Sequence, residues 1–321
     1  MSLRNFRLEA REWLDENCPA GVRSQMPEEE IVNGGGKQRS VNPDSYVWLE
    51  RMASRGWTVP HWPSEYGGAD LSSQEYVVLL EEMSAINARI PLTGMGVSMI
   101  GPTLLEYGTA EQKAEHLPKI ASGEIRWCQG YSEPGAGSDL ASLQMGAVEV
   151  GDQYIINGQK TWTTLAQHAD WIFCLVRTNT DAPKHEGISF MLVDMDQPGV
   201  STRPIRLISG ASQFCETFFD NAVAEKRNLV HQLNKGWTVG KRLLQHERSG
   251  IQALAQAATG RDARATTGMP ITESAKQYIG TDDAGRIADP ALRAEITALM
   301  MNTRALALTQ ARTVEESEGG T

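Results

Sequence analysis

A short segment rich in hydroxyl groups and small residues is the first candidate for chemistry in this sequence. It runs from Tyr131 to Asp139 and reads YSEPGAGSD. Glycine has no side chain and adopts backbone conformations that other residues avoid, so main-chain N–H groups in such a segment can approach a ligand closely. On composition alone, an ordinary Gly-Pro turn is the simpler interpretation, and a second feature is needed to favour ligand binding.

That second feature is an aromatic ring followed by two hydroxyl groups. Trp162 stands directly before Thr163 and Thr164, in a run of residues with high strand propensity. A flat heteroaromatic ligand would suit this surface, because its ring can stack on the indole while the hydroxyl groups bond to its polar edge. A tryptophan considered alone is more typical of a protein core. The two features together favour a bound planar ligand.

An acidic residue on an apolar helix face is the third candidate. Residues 241–254 show helical spacing, with Leu243, Glu247 and Ile251 on one face. A carboxylate there must be paired, hydrated or raised in pKa by desolvation, because burying an unpaired charge is costly. A raised pKa is what a general base needs near neutrality. A salt bridge to a neighbouring arginine or a solvent-wetted edge explains the pattern equally well.

Motifs for several other chemistries fail in this sequence. Pro134 stands where the second glycine of a G-x-S-x-G hydrolase elbow would be, and residues 158–161 lack the upstream glycine of a phosphate-binding loop. The cysteines form no C-x-x-C pair, and no two histidines have metal-ligand spacing. We therefore expect no metal site, and reduced thiols at Cys18, Cys128, Cys174 and Cys215.

Charge and hydropathy exclude several classes of partner. The chain has 30 Lys and Arg against 40 Asp and Glu, a formal net charge of −10, which opposes binding to nucleic acid and to anionic membranes. The first residues lack the apolar core of a secretion signal, and no apolar run is long enough to cross a membrane. We expect a cytoplasmic protein without a nucleic-acid partner or membrane insertion.

The elements that must position these residues are helical toward both ends of the chain. Helical spacing extends from about residue 3 to residue 122 and returns after Gly236. Asp289-Pro290 marks one later helix start, since proline is tolerated in the first turn. Two earlier helix starts carry capping boxes, which are Ser72 with Glu75 and Thr109 with Gln112.

Between the helical parts, from residue 127 to residue 225, the apolar period becomes two. Asn157-Gly158 lies between two strand-forming runs and predicts a hairpin turn. Short spacings without intervening helices favour an antiparallel sheet or barrel, with further strands at 171–177, 188–194 and 216–219. The predicted fold class is α+β, with an N-terminal helical domain (residues 1–125), a middle antiparallel β-barrel or sheet domain (126–232) and an incomplete C-terminal helical bundle (233–321).

Two stretches of the sequence closely resemble the two signatures of acyl-CoA dehydrogenases. They are WCQGYSEPGAGSDL at positions 127–140 and GDQYIINGQKTWTT at positions 151–164. The resemblance extends over nearly the whole chain, including residues 56–68, 108–123 and 228–248. It implies a flavoenzyme with FAD bound between a helical domain, a β domain and a helical bundle, assembled as a homo- or hetero-oligomer, usually a dimer or tetramer.

By this resemblance, positions in both signatures bind FAD. Tyr131 and Ser132 would lie near the isoalloxazine ring, on which Trp162 would stack. Thr163 and Thr164 would bond to the polar edge of that ring. The positions carried over for FAD are Gln129, Gly130, Tyr131, Ser132, Gly137, Ser138, Trp162, Thr163 and Thr164. Those carried over for acyl-CoA are Ser138, Gln245 and Arg248.

The chemistry that the resemblance implies is α,β-desaturation of an acyl-CoA thioester, a step of fatty acid β-oxidation. A glutamate removes the α-proton, the β-hydride passes to flavin N5, and electrons leave through an electron-transferring flavoprotein. The family places this glutamate either near the C-terminal end or on the helix that carries Glu247, directly before the arginine that Arg248 matches. Glu247 is therefore the predicted base, which agrees with its position on an apolar helix face.

Two departures from the family pattern leave alternatives open. The sequence ends where the family continues with two more helices, so it is either truncated or divergent. Residues 261–288 lack the Arg-x-x-Phe-Gly segment that binds the FAD of a neighbouring subunit. This favours a non-catalytic or heteromeric subunit that serves an active paralogue, whereas Glu247 argues against a non-catalytic role. An acyl-CoA oxidase on the same fold is a further alternative. Gly94-Met95-Gly96 would leave room for a bulky acyl group, although helix packing explains these glycines equally well.

Overall fold

The computed structural model describes residues 2–249 and 270–318, without the side chains at 247–249 and at several positions beyond 306. α-Helices occupy the first part of the chain. Both predicted capping boxes are confirmed, since Ser72 and Thr109 each accept the N–H of the residue three positions later, whose side chain accepts in return. The helices are α1 (Leu3–Asn17), α2 (Pro43–Ser54), α3 (Ser73–Ala85), α4 (Gly101–Tyr107) and α5 (Ala110–Ala121).

A mixed β-sheet follows these helices. Its strands are β1 (Trp127–Gly130), β2 (Gly146–Val150), β3 (Gln153–Thr164), β4 (Trp171–Arg177), β5 (Ile188–Asp194), β6 (Val200–Ile205), β7 (Phe214–Glu225) and β8 (Leu229–Val230). The hydrogen-bonded order is β6-β7-β3-β2-β4-β5-β8, and β1 pairs with β4 beside this path. The strands predicted at 171–177 and 188–194 are confirmed as β4 and β5, whereas the one predicted at 216–219 is part of the longer β7.

The sheet differs in two ways from the predicted antiparallel barrel or sheet. Among the described residues its strand path is open rather than closed. Two pairings are parallel, because Trp127 of β1 lies beside Trp171 of β4, and β2 meets β4 at Gly146 and Arg177. A parallel partner is reached only through a long connection. Local periodicity reports on strands joined by short turns, so it could not reveal these pairs.

The predicted hairpin turn at Asn157-Gly158 is wrong, because β3 continues through this dipeptide. The turn lies earlier, at Gly151-Asp152, where Gly151 has a φ of 59°. At this dipeptide β7 carries a bulge, since Asp220 and Asn221 of β7 oppose Asn157 alone, and Gly158 has a φ of 146°. A Cβ on Gly158 would lie 2.7 Å from the Cγ of Met145. Glycine is selected both in hairpin turns and inside strands where another chain segment approaches closely, so the dipeptide is compatible with either.

Helices return after the sheet as α6 (Gly236–Ser249), α7 (Ile271–Ile279) and α8 (Pro290–Glu318). The side chain of Asp289 accepts the N–H groups of Ala291 and Leu292, which confirms the predicted helix start at Asp289-Pro290. A Cβ on Gly236 would lie 2.2 Å from the carbonyl carbon of Ser189 in β5. The missing side chain therefore lets α6 begin in direct contact with the sheet.

The C-terminal helical bundle is not confirmed within the described ranges. Large apolar side chains of α8 are exposed, namely Leu299, Met300, Met301, Leu306 and Leu308. No helix in the described part of the chain is long and apolar enough to cross a membrane. The division at residues 125 and 232 stays a prediction.

The buried faces of the sheet point to two different clusters. On β4, Phe173 and Leu175 belong to the cluster that joins the sheet to α4, α5 and α6, whereas Ile172 and Cys174 belong to a cluster on the opposite face. A strand buried on both faces reads as a continuous apolar run, which explains why the limits of β4 were predicted correctly. All of the cysteines are buried free thiols, as predicted.

Candidate functional site

Trp162 lies on a bulge near the end of β3. Lys160 pairs with Thr217 and Thr163 pairs with Cys215, so two residues of β3 oppose one residue of β7. Trp162 is one of these two bulged residues, and its φ of 59° is uncommon for residues other than glycine. Its side chain is 57% exposed. The bulge therefore turns a large ring outward, where a planar ligand could stack on it.

The two threonines after Trp162 differ in their surroundings. Thr163 is 1% exposed, and its Oγ1 is buried without a hydrogen-bond partner among the described residues. Thr164 is half-buried and pairs with Phe214 of β7. Because buried hydroxyl groups are normally hydrogen-bonded, the Oγ1 of Thr163 has an unused capacity that a ligand or water could meet.

The two sequence signatures contact each other through the backbone. The N–H of Thr161 donates to the carbonyl of Ser132 at 2.9 Å. Tyr131 is 6% exposed, and its ring packs edge-on against Phe173 with the centroids 6.1 Å apart. Its hydroxyl donates to the carbonyl of Gly240 in α6 at 3.5 Å. The structure thus brings Tyr131, Ser132, the end of β3 and α6 together.

Glycine is present at two of the candidate positions for different structural reasons. A Cβ on Gly130 would lie 2.5 Å from the Sγ of Cys174, so packing within the sheet already requires glycine at this position. No atom of the described residues lies within 4 Å of a Cβ built on Gly137. Gly137 and its neighbour Ser138 are exposed. Close approach of a ligand is therefore an explanation for Gly137 but is not needed for Gly130.

A buried ion pair beneath the site was missed at the sequence level. Lys160 has no exposed surface, and its Nζ lies 2.8 Å from Oε1 of Glu133, which is 8% exposed. Burial lowers the pKa of Lys160, and the carboxylate of Glu133 opposes that shift. The sequence contained a sign of this pair, because Lys160 is an even number of residues from the buried Tyr154 and Ile156 and so lies on the same face of β3. A lysine at an inward position needs an acidic partner.

The remaining predicted residues lie farther along the chain or on its surface. Gln129 is half-buried in β1 and pairs with Phe173. Gln245 is exposed on α6, where its Oε1 accepts Nη1 of Arg242 at 3.2 Å. Glu247 and Arg248 belong to α6 by their backbone, but their side chains are outside the described residues.

Gly94-Met95-Gly96, a candidate for the floor of an acyl pocket, is accounted for by packing. A Cβ on Gly96 would lie 3.1 Å from Cγ2 of Ile120, and one on Gly94 would lie 3.2 Å from Oδ1 of Asn33. Gly94 also has a φ of 100°. These glycines therefore carry no information on the size of an acyl group.

The candidate residues fit a flavin by their chemistry. Trp162 offers an exposed aromatic surface, Thr163 a buried hydroxyl that has no partner in the described part of the chain, and Gly137 an open stretch of backbone. Stacking, hydrogen bonds to a polar ring edge and main-chain contacts to phosphate are the interactions that such a cofactor requires. Gln129, Tyr131 and Ser132 lie in the adjoining segment.

Known proteins resemble this chain over both its helical part and its sheet. The model of the acyl-CoA dehydrogenase N-terminal domain matches residues 2–124, and that of the middle domain matches residues 128–222. The acyl-CoA dehydrogenase IpdE1 of Mycolicibacterium smegmatis is 40% identical over 266 residues, which cover 80% of this chain and 67% of that protein. IpdE1 of Mycobacterium tuberculosis is 40% identical over 254 residues, or 79% of this chain and 65% of that protein.

Solved structures agree with these sequence relatives. The structure titled Tcur3481-Tcur3483 steroid ACAD superposes with a TM-score of 0.74 at 32% identity, covering 99% of this chain and 76% of that one. The ChsE4-ChsE5 complex from Mycobacterium tuberculosis gives a TM-score of 0.70 at 29% identity, covering 99% and 77%. The chain spans about two thirds of the length of the IpdE1 relatives. It belongs to the acyl-CoA dehydrogenase family.

Proposed function

We propose that this protein uses FAD to desaturate an acyl-CoA thioester between its α and β carbons. The observation that carries the proposal is the outward-turned ring of Trp162, held on a bulge directly after a backbone hydrogen bond that joins both family signatures. A large aromatic side chain held at a positive φ and left 57% exposed is energetically costly, and such strain is concentrated at ligand-binding sites. Membership of the acyl-CoA dehydrogenase family supports FAD as the ligand.

The chain's own residues would hold the cofactor from several sides. Trp162 would stack on the isoalloxazine, and Thr163 and Thr164 would bond to its polar edge. Gln129, Gly130, Tyr131, Ser132, Gly137 and Ser138 would line it with backbone and side chain. When bound, FAD supplies the acceptor for the β-hydride of the substrate.

Glu247 is the proposed base for the α-proton. It stands about two turns along α6 from Gly240, which contacts Tyr131. It is also one turn beyond Leu243, which is fully buried. Desolvation on such a face would raise the pKa of a carboxylate toward the range where proton abstraction works at neutral pH. Ser138, Gln245 and Arg248 would hold the acyl-CoA.

Partners and substrate class extend this proposal. An electron-transferring flavoprotein would accept the electrons, as the family resemblance implies. The similar structure titled as a steroid ACAD supports a bulky, ring-containing acyl group rather than a short straight one. The small residues at 94–96 add no support for this choice, because packing explains them.

A heteromeric subunit is the second candidate function. Two similar structures carry titles that name two components. The exposed apolar side chains of α8, such as Leu299 and Met301, are compatible with a protein partner. As part of a heteromer, the chain would be either a catalytically active subunit or an inactive subunit that contributes binding contacts to a paralogous, active one. An acyl-CoA oxidase differs from both by producing peroxide during aerobic turnover.

The visible spectrum of the purified protein tests the main proposal. Acyl-CoA thioesters, including steroid-linked ones, are added without an external acceptor to the wild type and to the Glu247→Gln and Glu111→Gln variants. Glu111 is an exposed residue of α5 and serves as the control. We expect a flavin band that a thioester bleaches in the wild type and in Glu111→Gln, and bleaching at least about 100-fold slower in Glu247→Gln.

Two outcomes contradict the proposal. A colourless protein that takes up no added FAD favours the inactive subunit, which is then tested by co-expression with a paralogue and mass analysis of the complex. Equal bleaching in Glu247→Gln removes that residue from the role of base while leaving FAD binding intact.

A further inference from the structure

The ammonium group of Lys160 is fully enclosed and fully bonded. Its Nζ donates to Oε1 of Glu133 at 2.8 Å, to the carbonyl of Leu175 at 2.8 Å and to the carbonyl of Tyr131 at 3.1 Å. An ammonium has three donors, so this charge has used all of them within the protein. Lys160 therefore joins β3, β4 and the segment after β1 at one point.

Glu133 continues this network into the loop between β1 and β2. Its Oε1 accepts the N–H of Met145 at 2.9 Å, and its Oε2 accepts that of Gln144 at 2.6 Å. Its backbone exchanges two hydrogen bonds of 3.0 Å with Ala136. One carboxylate thus connects both ends of the loop from Tyr131 to Met145, which contains Gly137 and Ser138.

The network lies directly behind the outward-facing part of the site. Lys160 is the last paired residue of β3 before the bulge that carries Trp162. The carbonyls of Tyr131 and Ser132 are held respectively by Lys160 Nζ and by the N–H of Thr161. The side chain and the backbone of two consecutive β3 residues therefore fix two consecutive carbonyls of the first signature.

Stability alone does not require a charged pair at this place. Replacing a buried ion pair by neutral groups of similar size is often neutral or stabilising, whereas removing one partner leaves an uncompensated charge and is strongly destabilising. A neutral core would lack the directed bond by which Lys160, itself held by Glu133 and Leu175, fixes the Tyr131 carbonyl. The pair is thus better suited to holding the loop in one position than to stabilising the fold.

We propose that Lys160 and Glu133 are positioning residues, which hold the loop from Tyr131 to Met145 at a fixed distance from Trp162 so that both can contact one cofactor. This inference rests on the proposed FAD-dependent function. Neither side chain is assigned a contact with the cofactor, because the three donors of Lys160 and both carboxylate oxygens of Glu133 are already bonded within the protein.

Three variants separate positioning from stability. They are Lys160→Met, Glu133→Gln and the double variant, compared by thermal unfolding, by FAD titration and by hydrogen exchange of peptides covering residues 131–145. Glu82→Gln is the matched control, since Glu82 is 4% exposed and pairs with Arg7 and Arg11 in the helical part of the chain.

We expect each single variant to lose thermal stability and the double variant to regain most of it. In the double variant the Kd for FAD rises at least about tenfold and the 131–145 peptides exchange faster. Glu82→Gln lowers the melting temperature without changing either readout. If the double variant regains FAD affinity together with stability, the pair is merely structural and the inference is overturned.

Failure of the proposed function gives a different result. If the wild type binds no FAD, that function is contradicted, and the exchange rates then decide alone whether the pair holds the loop. Unchanged exchange at 131–145 in a folded double variant overturns the positioning role in either case.

Discussion

Trp162 and Phe214 meet edge to face, with their ring centroids 6.0 Å apart and their planes at 80°. Phe214 supports the indole from the protein side, while more than half of the surface of Trp162 stays accessible. We expect Trp162→Ala to raise the Kd for FAD about tenfold and to change the melting temperature little, because stacking is lost but little buried area is. Trp162→Phe keeps most of the affinity. Equal FAD affinity in Trp162→Ala contradicts a stacking role.

Gly137 and Gly158 give a matched pair of alanine substitutions. Gly158→Ala destabilises the protein by about 2 kcal/mol or more, since its φ of 146° and the 2.7 Å approach to Met145 leave no place for a methyl group. Gly137→Ala leaves the unfolding free energy of the FAD-free protein unchanged, because no described atom lies within 4 Å. Its FAD affinity falls, as measured by titration. Unchanged affinity in Gly137→Ala shows that backbone approach at this position is not needed.

Thr163 and Thr217 are both buried with an Oγ1 that has no partner among the described residues. Either change to Val removes an unpaired polar atom and stabilises the FAD-free protein by about 1 kcal/mol. If the Thr163 hydroxyl bonds to FAD, the rise in melting temperature that FAD causes becomes smaller in Thr163→Val and stays the same in Thr217→Val. Equal FAD-induced rises in both variants contradict that bond.

His116 gives the protein a defined acid sensitivity. Its ring packs edge-on against Trp127 and Trp171, with centroids 5.2 and 4.8 Å away. Burial, with smaller effects of Lys119 and Arg227, lowers its pKa from 6.5 to about 4. The unfolded chain therefore binds the proton first as pH falls, so stability decreases between pH 6.5 and about 4.

The expected loss over this interval is roughly 3 kcal/mol, measured as the difference in unfolding free energy between the wild type and His116→Phe at each pH. Other groups titrate in both proteins and cancel in this difference. His185→Gln, a change at an exposed position, keeps the pH dependence of the wild type. A difference that is constant from pH 7 to pH 4 contradicts the lowered pKa.

Sequence patterns predicted elements where the local environment determines the conformation. The limits of β4 and β5 follow from uninterrupted apolar runs, and the caps at Ser72 and Thr109 depend on residues three positions apart. Asn157-Gly158 predicted a turn because glycine serves both hairpin turns and close contacts within a sheet. What separates them is the pairing of β3 with β7, a contact with residues far along the chain.

The candidate site was predicted as a set of residues but not as an arrangement. Its two segments were identified from their amino-acid sequences, whereas the bulge that turns Trp162 outward depends on the register of β3 against β7. The ion pair of Lys160 with Glu133 joins residues 27 positions apart, and only the strand parity of the lysine hinted at it. The distinction between Gly130 and Gly137 required the surrounding atoms.

The parallel pairing of β1 with β4 has a consequence for the order of folding. The β2–β3 hairpin lies between Trp127 and its partner Trp171 in the sequence, so their pairing closes a long loop. Closing so long a loop costs conformational entropy before any contact repays it, and local hairpins form sooner. The segment that begins in β1 therefore gains exchange protection after the local β2–β3 and β6–β7 hairpins during refolding, and the candidate site is completed only when these long-range pairings have formed.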